Sequence, residues 1–126
     1  MRTRLVLSSA LVALAALAGT AFAAPVKTVD SAKGKVIAAD NGMTLYTFKN
    51  DKKGMSNCYD ACAQNWPPFI ATSGAKADGA YSLVDRKDGS KQWALNGMPL
   101  YFWINDKKMG DATGDGVKGV WHAARP

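Results

Sequence analysis

The chain has 126 residues and a formal charge of +6, from 16 Lys and Arg against 10 acidic residues. That length holds one domain. The basic excess is scattered over Lys27, Lys33, Lys35, two Lys-Lys pairs, Arg86 and Lys87 rather than gathered into a stripe, which argues against a nucleic-acid partner. Every acid is Asp, and there is one His, so a zinc site has almost no ligand set.

Residues 1–23 read as a secretory signal. Met1-Arg2-Thr3-Arg4 is basic, Leu5 to Ala18 is apolar apart from Ser8 and Ser9, and Ala21-Phe22-Ala23 offers small residues where a signal peptidase reads them. The apolar run falls short of the roughly 20 residues that span a bilayer. Cleavage after Ala23 removes Arg2 and Arg4 and leaves 14 basic against 10 acidic residues, a mature charge of +4. Residues 24–33 read as a flexible leader with little to bury. Residues 34–126 follow as a single domain with no linker.

That domain repeats itself. Asn41-Gly-Met-Thr-Leu-Tyr-Thr-Phe-Lys-Asn-Asp-Lys-Lys53 and Asn96-Gly-Met-Pro-Leu-Tyr-Phe-Trp-Ile-Asn-Asp-Lys-Lys108 agree at nine of thirteen positions, at an offset of 55. The same offset relates Gly34 to Gly89 and Trp66 to Trp121. Two copies are too few for a solenoid, so two repeats, about 34–88 and 89–126, are expected to pack as halves of one core. Each reads as a hairpin. Val36 to Ala39 leads into Asp40-Asn41-Gly42, and Gln92 to Leu95 leads into Asn96-Gly97; Asn-Gly favours a two-residue turn with both residues at positive φ. The following strands alternate, so Tyr46 and Phe48 share one face, as do Tyr101 and Trp103. Apolar residues on both faces predict strands covered on both sides. Further strands are expected at 69–71, 81–84 and 120–123, with a short helical turn over Tyr59 to Gln64. The fold class is mostly β: a small antiparallel domain of two pseudo-symmetric hairpin repeats.

Cys58 and Cys62 would lie near 6 Å apart, Cα to Cα, on a helical turn, within disulfide range. In an oxidising compartment they are expected to form a structural disulfide ahead of Trp66-Pro67-Pro68. The competing reading is copper handling, with Cys58, Cys62 and His122 as Cu(I) ligands. Their spacing is similar to that of copper chaperones of cytochrome oxidase assembly, but those are longer and thioredoxin-like, and no βαβ pattern is present. Asp106, Asp111 and Asp115 with Gly114 and Gly116 could hold Ca²⁺, but the spacing is not that of an EF-hand, and turn formation is the preferred reading. Asp51 and Asp106 are expected to cap turns through backbone N–H groups. Ser56, Ser73 and Ser90 could each complete a triad with His122, yet no motif nominates one. No cofactor is expected.

Leu45-Tyr-Thr-Phe48 with Asp51, Cys58-x3-Cys62-Ala-x-Asn-Trp66-Pro-Pro68, Asp88-Gly89, Gln92-Trp93-Ala94-x-Asn96-Gly97-x-Pro99-Leu100-Tyr101 and Gly114-Asp115-Gly116-x3-Val120-Trp121-His122-x-Ala124-Arg125-Pro126 stand in a fixed order. Over roughly residues 34 to 126 the chain resembles the bacterial predicted lipoproteins with a Tyr-x-(Phe/Trp/Tyr)-x-x-Asp motif, the secreted repeat of unknown function family. Tyr46, Phe48, Asp51, Tyr101, Trp103 and Asp106 are the motif residues. The resemblance implies an envelope protein with tandem repeats and no established activity; some relatives are associated with alkane utilisation, which no residue here supports. Family members often carry a lipid-accepting Cys, whereas the corresponding stretch reads Leu17-Ala18-Gly19-Thr20. The expectation is a soluble, unlipidated periplasmic or secreted protein. It is read as a non-enzymatic module that binds an envelope ligand or protein, with no stable membrane anchor.

Overall fold

Tyr-x-aromatic strands that carry apolar residues on both faces must lie at the middle of the molecule, and they do. The computed structural model describes residues 23–126, so the expected signal segment, Ala23 apart, lies outside the described residues. In chain order the elements are β1 (Val26–Ser31), β2 (Gly34–Ala39), β3 (Tyr46–Phe48), α1 (Ala61–Asn65), β4 (Tyr81–Asp85), β5 (Lys91–Leu95), β6 (Met98–Pro99), a 3-10 turn (Val117–Gly119) and β7 (Trp121–Ala123). All strand pairing is antiparallel, in sheets β1-β2, β3-β7 and β4-β5-β6. No helix among the described residues is long and apolar enough to cross a membrane.

The repeats exchange their last segments. Tyr46 of the first copy pairs with Ala123 of the second, and Tyr101 of the second pairs with Pro68 of the first. Ala124 and Phe69, again 55 apart, donate their N–H groups to the carbonyls of Leu45 and Leu100, at 2.8 and 2.9 Å. Between them Tyr46 and Tyr101 face each other in a bridge, which places the pseudo-two-fold axis there.

Alternation sorts the core into two layers. Leu45, Leu100, Ile37, Trp93 and Phe69 pack on one side of this central ribbon. Tyr46, Tyr101, Trp66, Trp121 and Cys58 pack on the other. Phe48 and Trp103 join the second layer as partly buried rings, so the two-residue spacing does place each repeat's aromatic pair on one face.

Three local expectations need correction. Residues 24–33 are no loose leader: Val26–Ser31 forms β1, paired along its whole length with β2, and Val29 is buried. Val26, Thr28 and Val29 are β-branched and favour an extended chain, and the β1-β2 hairpin is the counterpart of β4-β5. The first repeat therefore begins well before residue 34. Asn96 and Gly97 take φ of 51° and 86°, the two-residue turn expected of them. Asn41 does not. Its side-chain oxygen accepts the Met43 N–H at 2.9 Å, Gly42 alone is left-handed at 86°, and the loop spans Asp40–Gly42. The register moves accordingly: Leu45 N–H bonds the carbonyl of Ile37, but Leu100 N–H bonds that of Trp93, one residue off the constant offset. Residues 69–71 form a single bridge, Ile70 to Gln92, rather than a strand.

Candidate functional site

Tyr46 is wholly buried, and its hydroxyl donates to Asp106 Oδ2 at 2.6 Å. Tyr101, equally buried, donates to Asp51 Oδ2 at 2.6 Å. Each motif tyrosine thus reaches the motif aspartate of the other repeat. The second oxygen of each carboxylate holds its own loop, accepting from Asn57 N–H at 2.7 Å or from Thr113 N–H at 3.0 Å. The turn-capping role expected of Asp51 and Asp106 is present; the tyrosine exchange was not foreseen, because sequence spacing says nothing about which copy a side chain reaches. Burial, then the carboxylate partner, pushes both phenols above the usual tyrosine range. Burial also raises Asp51, against the opposing pull of Tyr101, Asn57 and Arg86.

A polar network on one side breaks the symmetry. Arg86, 7 % exposed, donates from one guanidinium nitrogen to Ser56 Oγ at 3.1 Å and Gln92 Oε1 at 2.8 Å, and from the other to the Cys58 carbonyl at 2.9 Å. Ser56 Oγ lies 2.6 Å from the Tyr101 hydroxyl. Since Tyr101 gives its proton to Asp51, Ser56 gives its own to Tyr101 and receives from Arg86. The chain runs from a guanidinium to a carboxylate through two buried hydroxyls. Tyr59 covers Arg86, 4.3 Å from its ring centroid. Ser31 stands where Arg86 does and, through the register shift, Val36 where Gln92 does, so no such side-chain network surrounds Tyr46, whose hydroxyl accepts from the Gly114 N–H at 3.2 Å instead. Arg86 stands in no motif, and Gln92 opens the Gln-Trp-Ala-x-Asn-Gly stretch without any local sign that its side chain meets an arginine.

Cys58 and Cys62 form a disulfide, Cα atoms 5.2 Å apart. The helix starts later than expected, at Ala61, with Asp60 ahead of it at φ 55°. Cys58 therefore lies before the helix, and the bond ties a buried loop to its first turn. Thiols joined in this way offer no thiolate to Cu(I), and His122 is exposed on β7 opposite Thr47. Ser56 is enclosed with Arg86 and Tyr101, and Ser90 bonds Asp88; neither bonds His122. Asp111 accepts from Lys107 and Lys108 N–H, and Asp115 from Ala123 N–H and Arg125. No group of three metal-ligating side chains occurs among the described residues.

The aromatic side of the ribbon is where concave surface and symmetry coincide. Phe48, Trp121, Trp66 and Trp103 form a continuous stack with centroid separations of 4.2, 3.8 and 4.0 Å. Trp66 and Trp121, the central pair, are parallel within 3°. The axis relates Phe48 to Trp103 and Trp66 to Trp121, and the edge contacts Tyr46–Trp66 and Tyr101–Trp121 repeat at 5.3 and 5.2 Å. Such geometries add to the area these rings bury. Gly114 seals the stack from behind: a Cβ there would stand 2.8 Å from Trp66 and 3.0 Å from Trp103.

Over the stack runs a groove of about 440 Å³, floored by these four rings. Its walls differ. One is α1 with Cys62 and Asn65; the other is Val117, Lys118 and Val120. Position 118 corresponds to Ala63, so the charge on this wall has no counterpart in the first repeat. Lys118 is left-handed at φ 53°, between Gly116 at 89° and Gly119 at 69°. That conformation costs a residue with a side chain about 1–2 kcal/mol and is often held at binding sites. No acidic side chain lines the groove.

The chain belongs to the family described as a secreted repeat of unknown function, which matches residues 27–70 and again 82–125, two copies offset by 55. The first match begins inside β1, in agreement with the earlier start of the repeat. Neither the curated proteins nor the solved structures yield a match to the chain.

Proposed function

We propose that this secreted-repeat protein is a non-enzymatic binding module, exported and unlipidated, whose ligand occupies the groove on the pseudo-two-fold axis. The ligand class is a small planar aromatic monoanion such as an aryl carboxylate. The observation that carries this reading is the groove itself: a floor of four stacked rings, two of them shared symmetrically between the repeats, with one cation on its walls and no acid. Binding sites combine an apolar lining with a few polar groups that set orientation. Phe48 and Trp103, only partly buried, supply aromatic surface for a ring. Lys118 supplies the charge complement, while Asn50 and Asn65 offer hydrogen bonds at the rim.

The reading is tested with 2-naphthoate as probe, followed through the indole N–H resonances of the tryptophans. Saturable shifts of Trp103 and Trp121 are expected. Lys118→Met should weaken binding about five-fold, the scale of a partly exposed charge contact, without shifting the unbound spectrum outside the 117–120 turn. Absence of saturable binding would overturn the assignment of the groove; unchanged affinity in the Lys118 variant would overturn the anionic class.

A further inference from the structure

Ala23 is exposed, but Ala24 is only 8 % exposed and packs with Ala39, Ala71 and Ala124 in the first core layer. Its carbonyl accepts the Val26 N–H at 2.8 Å, and the adjacent Pro25 carbonyl accepts the Asp40 N–H at 3.0 Å. Its own nitrogen donates to Asp78 Oδ2 at 2.9 Å, across 54 positions of sequence. The chain therefore enters the fold at one residue, and that residue's nitrogen lies on a carboxylate. Independently, Ala21-Phe22-Ala23 is the stretch that a signal peptidase would read, with the scissile bond between Ala23 and Ala24.

We infer that Asp78 is the receptor for the mature N-terminus: processing after Ala23 converts an amide hydrogen bond into an ion pair between the Ala24 α-ammonium and the Asp78 carboxylate. In the step, signal peptidase adds water across the Ala23–Ala24 amide. The C–N bond breaks, the oxygen of water stays with Ala23 as its new carboxylate, and the nitrogen takes up protons and remains on Ala24 as an ammonium. An amide gives Asp78 one neutral donor; the ammonium gives a full charge and up to three. Charge-assisted bonds are roughly twice as strong as neutral ones. The small Ala24 side chain suits the alanine-lined pocket, and the extra charge appears only when the precursor has been cut, so the fold is stabilised by its own maturation.

The test uses the full-length gene, exported and purified as wild type, Asp78→Asn, a Gly-Ser insertion after Ala23, and the combination. Intact mass is expected to place the wild-type start at Ala24. Asp78→Asn should lower the folding equilibrium constant about five-fold more in the wild-type background than in the inserted one, where Ala24 keeps its amide. Equal losses in the two backgrounds, or a mature start elsewhere, would overturn the inference. If Asp78→Asn does not accumulate, NMR titration of the wild-type α-amine decides. A proton held above the ordinary value of about 8 is expected, and an ordinary value overturns the pair.

Discussion

Tyr46 and Tyr101 hydrogen-bond to each other's backbone in both directions, at 2.8 and 2.9 Å, and each extends its hydroxyl to the aspartate of the other's repeat. The family motif is thereby a device for joining two copies. The tyrosine supplies the central ribbon and one half of a buried hydrogen bond; the aspartate of the opposite copy supplies the other half and fastens the loop behind it.

Removing either hydroxyl leaves a carboxylate oxygen without its partner. Tyr46→Phe is expected to cost about 1–3 kcal/mol in urea denaturation. Tyr101→Phe should cost a comparable amount, because each hydroxyl also serves a second buried partner, Ser56 Oγ at Tyr101 and the Gly114 N–H at Tyr46. An equal, negligible effect of both would show that the exchange does not hold the halves together.

Asp51 titrates above its ordinary value of 3.8. Between that value and its folded one, the native chain keeps a proton that the unfolded chain has released. Its contribution is fully present below 3.8 and is lost as pH rises through the folded value. Relative to Asp51→Asn, the wild type should therefore gain stability on acidification through this window. A constant difference from pH 7 down to pH 3.5 would refute the burial assigned to Asp51.

The tyrosines behave likewise at the other end of the scale. Tyr46 and Tyr101 are raised above 10.0, so stability is present below pH 10 and falls above it as the unfolded chain sheds protons first. Ultraviolet titration should show their phenolate absorbance arriving with unfolding rather than before it. Early, reversible ionisation of these two would contradict their enclosure.

Gly114→Ala should disturb the stack without touching the groove wall. Its Cβ meets Trp66 and Trp103 at sub-contact distances, and overpacking of this kind costs about 1–3 kcal/mol. Near-ultraviolet circular dichroism is expected to lose indole intensity. Replacing both Cys58 and Cys62 with Ser should cost about 2 kcal/mol, the chain-entropy scale for so short a loop. Retention of wild-type stability by that double variant would remove the disulfide from the account.

The repeats, both two-sided strands and the paired cysteines were legible because period and identity are written in the residues. The offset of 55 exposed the duplication, and alternation around Leu45-Tyr46 and Leu100-Tyr101 gave the two core layers. The exchange of segments was not legible: Pro68 beside Tyr101 and Ala123 beside Tyr46 follow from how the halves associate, which no local pattern encodes. The register shift between Ile37 and Trp93 was hidden because both copies contain Asn-Gly without a gap. In the first, Asn41 bonds Met43 through its side chain and the turn gains a residue. β1 was not legible because residues 24–33 offer little to bury by themselves, and the segment becomes a strand only against β2, which covers it. The groove was not legible although all four of its rings lie in the repeated motifs. Phe48, Trp66, Trp103 and Trp121 were visible as a heavy aromatic load, but only folding stacks them, and Lys118 was one lysine among many.

The most direct test of the groove is where a ligand lies. With 2-naphthoate bound, intermolecular nuclear Overhauser effects are predicted between its ring protons and Phe48, Trp103 and Trp121, with its carboxylate end beside Lys118. Saturable binding whose contacts fall elsewhere, or contacts that persist unchanged with the carboxylate turned towards Asn65, would contradict the account.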